Sequence, residues 1–127
     1  MTDSAELASA RYVNLATFRR NGVEVRTPVW MAGEGRRHYA FSEGAAGKVK
    51  RIRANGRARV ARCDVRGNVQ GEWMDARARI VTDPDTIARA YAQLRRKYGW
   101  QLAFADFFSK LSGRYAKRAM LEVELDG

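Results

Sequence analysis

Apolar and polar residues alternate in several separate runs along this chain. In "VEVRTPVWMA" (residues 23–32), Val23, Val25, Thr27, Val29 and Met31 share one face, while Glu24, Arg26, Pro28 and Trp30 share the other. A period of two is the mark of a half-buried strand. A strand "YVNLATFRR" precedes it across Asn21-Gly22, the dipeptide best suited to a tight hairpin turn. After the Gly33-Glu34-Gly35 turn comes a third strand, "RHYAFS", and a fourth, "RARVARCDV", ends before Gly67-Asn68. The fifth, "EWMDARARIV", sets Met74, Ala76, Ala78 and Ile80 against Trp73, Asp75, Arg77 and Arg79. The sixth, "RAMLEVEL", sets Ala119, Leu121, Val123 and Leu125 against Met120, Glu122 and Glu124.

Between these runs the period changes to that of a helix. Asp83-Pro84 supplies a cap and a proline for the first helical position. Ile87, Tyr91, Leu94 and Tyr98 then recur at helical spacing until Gly99. Arg95, Arg96 and Lys97 fall in the last turn, where cations complement the helix dipole. The following segment, "QLAFADFFSKLSG", is amphipathic and aromatic, and Leu102, Phe104, Phe107, Phe108 and Leu111 are expected in the core or at a dimer contact. A shorter helix is predicted over residues 48–55, with Val49 and Ile52 inward.

Mostly antiparallel strands with connecting helices predict a mainly β protein, a small closed sheet with helical decoration. About eight strands are needed to enclose even one small ligand. Six therefore place a binding site on the outside or between subunits. The 127 residues predict one domain, 1–127.

Composition narrows the chemistry. A single histidine and a single cysteine exclude a histidine-rich metal site and an internal disulfide, and give no ground for a catalytic dyad. Cys63 is expected as a buried thiol and His38 as an imidazole on a surface strand. Any reactive atoms then belong to a bound cofactor. No apolar run reaches the roughly 18 residues of a membrane span. The acidic start, "MTDSAELASA", does not look secretory, so a cytoplasmic protein with no membrane partner is expected. The net charge of +10 predicts attraction to polyanions or phosphorylated small molecules. Nucleic acid is the less favoured partner, because no base-stacking motif accompanies the charge.

Placement of the charge is more telling than its amount. In "AAGKVKRIRANG" (residues 45–56) the cations Lys48, Lys50 and Arg51 crowd the start of a helix, where the dipole is already positive. Lys48, Arg51 and Asn55 form one polar ridge by their spacing, whereas Lys50 lies further round, toward solvent. With Gly44 and Gly47 leaving backbone N–H groups unobstructed, strand, turn and helix start read as a phosphate cradle. Pro28 in the second strand removes a ladder donor. A planar ligand lying along Thr27, Pro28, Val29 and Trp30, with its phosphate near Ser42 and Lys48, accounts for both features.

The runs "LATFRRNGVEVRTPVW", "YAFSEGAAGKVKRIRANGRARVARCD", "GEWMDARARI" and "LRRKYG", in this order, resemble the pyridoxamine-5′-phosphate-oxidase-like split-barrel superfamily, and within it the coenzyme F-420-dependent branch. The resemblance implies a six-stranded antiparallel split β-barrel that forms a homodimer. It implies a flavin or deazaflavin bound in a groove at the subunit interface, and a small-molecule substrate. Lys48 then matches the lysine on the cofactor phosphate, and Ser42 a hydroxyl residue beside it. Lys50 and Arg51 match basic positions of the deazaflavin branch. Thr27, Pro28, Val29 and Trp30 match the strand along the ring, and Trp73 matches a wall given by the partner subunit. The cofactor implied is coenzyme F-420, with FMN as the alternative, and a non-catalytic binding module remains open. Gly47 stands where true pyridoxamine phosphate oxidases carry arginine, and Gly56 where the family usually has proline. A substrate-binding pattern near the C-terminus has no counterpart. Oxidation of pyridoxamine phosphate is therefore not expected.

Overall fold

The computed structural model describes residues 4–126. Met1, Thr2 and Asp3, which open the acidic start, lie outside the described residues, and Gly127 does too. In chain order the elements are α1 (Ser4–Ser9), β1 (Tyr12–Phe18), β2 (Glu24–Val29), β3 (Ala32–Glu34), β4 (Arg37–Glu43), α2 (Gly47–Asn55), β5 (Arg57–Cys63), β6 (Met74–Val81), α3 (Pro84–Tyr98), α4 (Trp100–Leu111) and β7 (Arg118–Leu125). The strands form one antiparallel sheet in the order β2-β1-β5-β6-β7-β4-β3, curled into a half-barrel. This is the fold expected of a split barrel, with seven strands rather than six. The run at residues 23–32 does not continue as one strand. It leaves the sheet at Trp30 and Met31, and Ala32 re-enters at the opposite edge as β3, paired with β4. Alternation cannot reveal such a crossing, because the period of two survives a change of partner.

The inner faces of β1, β5, β6 and β7 fill the barrel with Val13, Leu15, Val60, Ala78, Leu121 and Val123. Helix α2 plugs this core with Val49 and Ile52. Outside, α3 lays Ala90, Leu94 and Tyr98 against Tyr39, Val81 and Met120. Asp83 caps α3, accepting from the Thr86 N–H at 2.8 Å. One expectation changes here. His38 is not on the surface: it is fully buried in β4, its Nε2 3.0 Å from the Gly35 carbonyl oxygen. On α4, of the residues expected in the core or at a dimer contact, Leu102 is in the core, while Phe104, Phe107, Phe108 and Leu111 are more than half exposed on the single chain.

Candidate functional site

Helix α2 opens without a side-chain cap. Among the described residues the N–H groups of Gly47 and Lys48 find no acceptor, so the positive end of the dipole is uncompensated. The Gly44 N–H is not part of this set, contrary to the sequence reading, because it donates to the Lys117 carbonyl at 2.7 Å. A Cβ at Gly44 would stand 2.7 Å from that same oxygen, so the position serves a close backbone approach. Gly47 makes room for a guanidinium: its Cβ would meet Arg51 Nη1 at 2.7 Å. Arg51 reaches back over the helix start while its Nε donates to Thr17 Oγ1 at 2.7 Å.

Lys48 is half-buried, and among the described residues no hydrogen bond or ion pair holds its ammonium. Burial, and then the Arg51 charge, hold its pKa below the usual lysine value, with Glu43 opposing them weakly. Other cations that are partly buried, or that reach a buried acid, are held. Arg79 and Arg37 both reach the buried Glu122 across neighbouring strands, and Arg26 and Arg59 share Glu24. An ammonium that is partly desolvated yet unpaired is therefore an exception to the molecule's own habit.

Lys48 stands between two adjoining hollows of one groove. The first, of about 310 Å³, is lined by Ser42, Glu43, Ala46, Lys48 and Arg114. The second, of about 390 Å³, is lined by Pro28, Val29, Trp30 and Ala105. Phe41, Lys48, Ser109 and Arg118 belong to both. The structure thus brings together Pro28, Val29, Trp30, Ser42 and Lys48. Thr27 precedes this wall in β2. Arg51 lines neither hollow but sits at the helix start beside them, and Lys50 points to solvent. Trp73 lies apart from the groove of its own chain. It precedes β6, and Arg26 and Arg59 stack over its ring at 4.7 and 4.8 Å.

Three groove residues were not singled out from the sequence: Phe41, Ser109 and Arg118. Phe41 meets Trp30 edge-on at 6.5 Å. Arg118 lies 4.1 Å over the Phe41 ring, bonds Asp106 at 2.6 Å and donates to Ser109 Oγ at 2.8 Å. An Asp inside the aromatic run "LAFADFF" was the available signal, since an acid amid apolar residues asks for a buried cation. The aromatic wall is held from behind. Tyr98 stacks on Trp30 at 4.8 Å and accepts from the Met31 N–H at 2.9 Å. Lys97 donates to the carbonyls of Leu7 and Met31. Burial and the neighbouring Arg11 lower the Lys97 pKa to about 8, so this lysine does more than complement the end of α3. A larger hollow of about 640 Å³, between Glu6 and Gln70, lies away from this cluster and holds none of the unpaired cations. Among the described residues no group of His, Cys, Asp and Glu side chains is placed to hold a metal.

No curated protein matches this chain in sequence. Several solved structures share its fold. A protein described as an F420 reductase is 18% identical and aligns over 100% of this chain and 95% of its own, with a TM-score of 0.63. An FAD-binding protein from Mesorhizobium loti is 20% identical over 95% of this chain and 83% of its own, with a TM-score of 0.63. The heme storage protein HutZ of Vibrio cholerae is 12% identical over 95% of this chain and 85% of its own, with a TM-score of 0.69. The family model described as pyridoxamine 5′-phosphate oxidase matches residues 3–126, and on that match, with the half-barrel and its helices, the chain belongs to the pyridoxamine 5′-phosphate oxidase family.

Proposed function

We propose that the groove binds a phosphate-bearing deazaflavin, coenzyme F-420, and that the chain acts as an oxidoreductase on a small unsaturated molecule, as a homodimer. The observation that carries this reading is Lys48: an unpaired, half-buried ammonium at an uncapped helix start, opening onto the aromatic wall of Pro28, Trp30 and Phe41. Free amides, an ammonium and the Arg51 guanidinium fit a phosphoryl group, and the flat apolar hollow beside them fits a ring system. The family includes oxidoreductases, and members of the fold described as an F420 reductase and as FAD-binding support a cofactor of this kind.

When bound, the cofactor supplies the hydride-transferring ring. Lys48 and the α2 amides hold its phosphate, with Ser42 alongside. Trp30 and Phe41 fix the ring plane and exclude water from one face. Among the described residues Glu43 is the one carboxylate lining the groove, 3.7 Å from Arg114, and neither imidazole nor thiol lines it. The chain's role is therefore binding and orientation rather than proton transfer. The only histidine is sealed inside the barrel, so the groove offers no imidazole to a heme. The exposed cations Lys50, Arg53 and Arg57 suit the acidic oligoglutamate tail of coenzyme F-420 better than the short ribityl phosphate of FMN. Trp73, on the outer face, is placed in this reading as a wall for the partner subunit's groove.

Titration of the purified protein with coenzyme F-420 and with FMN, followed by absorbance and fluorescence, tests the assignment. Coenzyme F-420 is expected to bind, and Lys48→Ala to weaken it by roughly 10- to 100-fold, the worth of a charge-assisted bond. Tighter binding of FMN would move the cofactor but keep the groove. Binding of neither, or indifference to Lys48→Ala, would overturn it.

A further inference from the structure

Ser109 of α4 stands where the two hollows of the groove meet, in the wall that Lys48 also lines. Its Oγ accepts a hydrogen bond from Arg118 Nη2 at 2.8 Å. A guanidinium only donates, so the direction of that bond is fixed and the Ser109 proton is left for another partner. Among the described residues it has none. Ser9 and Ser112 behave differently, each returning its proton to a carbonyl three residues back. Ser109 is half-buried, and a donor at that depth in a groove asks for an acceptor.

The partner behind it is held fast. Arg118 is nearly buried, bonds Asp106 at 2.6 Å and lies 4.1 Å over the Phe41 ring. The bond it gives draws charge from the Ser109 oxygen and makes the remaining O–H a stronger donor. Asp106 balances the guanidinium, so the groove gains a sharpened neutral donor and not a further cation. Around it Pro28, Val29, Trp30, Phe41 and Ala105 offer no side-chain acceptor, and the Glu43 carboxylate is turned to Arg114. The acceptor must come with the guest. An ionised oxygen suits this donor better than a neutral ring carbonyl, because such bonds are roughly twice as strong. Ser109 and Lys48 line the same two hollows, so the oxygens that the ammonium attracts are the ones offered to the hydroxyl.

We propose that Ser109 is a ligand of the guest's phosphoryl group, donating to one oxygen while Lys48 and the N–H groups of α2 hold the others. The inference rests on the reading of the groove as a cofactor phosphate site. It makes Ser109 a determinant of preference for the phosphorylated cofactor over its phosphate-free ring.

Titrations followed by fluorescence and absorbance test it, with coenzyme F-420 beside its phosphate-free deazariboflavin core, and FMN beside riboflavin. For the phosphorylated member that binds, Ser109→Ala should weaken affinity by roughly tenfold, the worth of one hydrogen bond to a charged group. The phosphate-free member should bind the variant as it binds the wild-type chain. Ser109→Thr keeps the hydroxyl and should recover most of the loss. Inorganic phosphate, added as a competitor, should also bind Ser109→Ala more weakly. An equal loss for both members of a pair would put Ser109 on the ring or in the fold, and would overturn the proposal. Binding that Lys48→Ala weakens and Ser109→Ala leaves untouched would overturn it too, yet keep the groove. Binding of neither cofactor overturns both.

Discussion

At the scale of single residues, the molecule shows two ways of treating a buried basic group. Lys48 stands half-buried at the groove proposed to take an anion. His38 has no such relief: it is fully enclosed, its Nδ1 has no hydrogen-bond partner among the described residues, and burial lowers its pKa, with the Gly35 bond opposing and Lys97 adding to the effect. The unfolded chain takes up a proton near pH 6.5, the folded one only at lower pH. Between the two the unfolded state binds more protons, so stability is full above about pH 6.5 and falls as pH drops below it. Urea midpoints measured from pH 7.5 to 5 should decline, and His38→Leu should flatten that decline. An equal slope in the variant would assign the loss to other groups.

Among the elements, α4 depends on one ion pair. Arg118 and Asp106 are both nearly buried, 2.6 Å apart, and they join the helix to the start of β7. Removing one partner strands the other charge, and Arg118→Leu should cost about 3–5 kcal/mol in urea unfolding. Arg118→Leu with Asp106→Leu should recover most of the loss, since an apolar pair can replace a buried ionic one. Arg96→Ala, which breaks an exposed pair with Glu34, should change stability by less than about 1 kcal/mol. The strands and α3 were legible because their burial follows local periods: Leu94 and Tyr98 on α3, Ala76 and Ala78 on β6 are buried as the pattern requires. For helix α4 the sequence left core and dimer contact open. Its apolar stripe is real, but Arg118, several residues downstream, turns the Asp106 side inward, and no local pattern encodes that. The helix at residues 47–55 and the cations crowding its start were legible from charge and spacing. Phe41 and Arg118 were not, because only the β4–β7 pairing brings them beside Lys48.

For the molecule as a whole, the +10 charge divides into two populations. One is spent within the sheet, as in the Arg37, Glu122 and Arg79 cluster. The other gathers along α2, where Lys48, Lys50 and Arg53 stand without an ion-pair partner among the described residues. The sheet is also an unfinished hoop. Its free edges, β2 and β3, follow one another in the chain, and Trp30 and Met31 alone carry the backbone from one to the other. Because Trp30 also lines the groove, a guest pressed against it acts as a clasp on that gap. Amide hydrogens around the junction should then exchange more slowly once the groove is filled, and those deep in β5 should hardly change. Equal slowing throughout would mean that the hoop is shut whether or not anything fastens it.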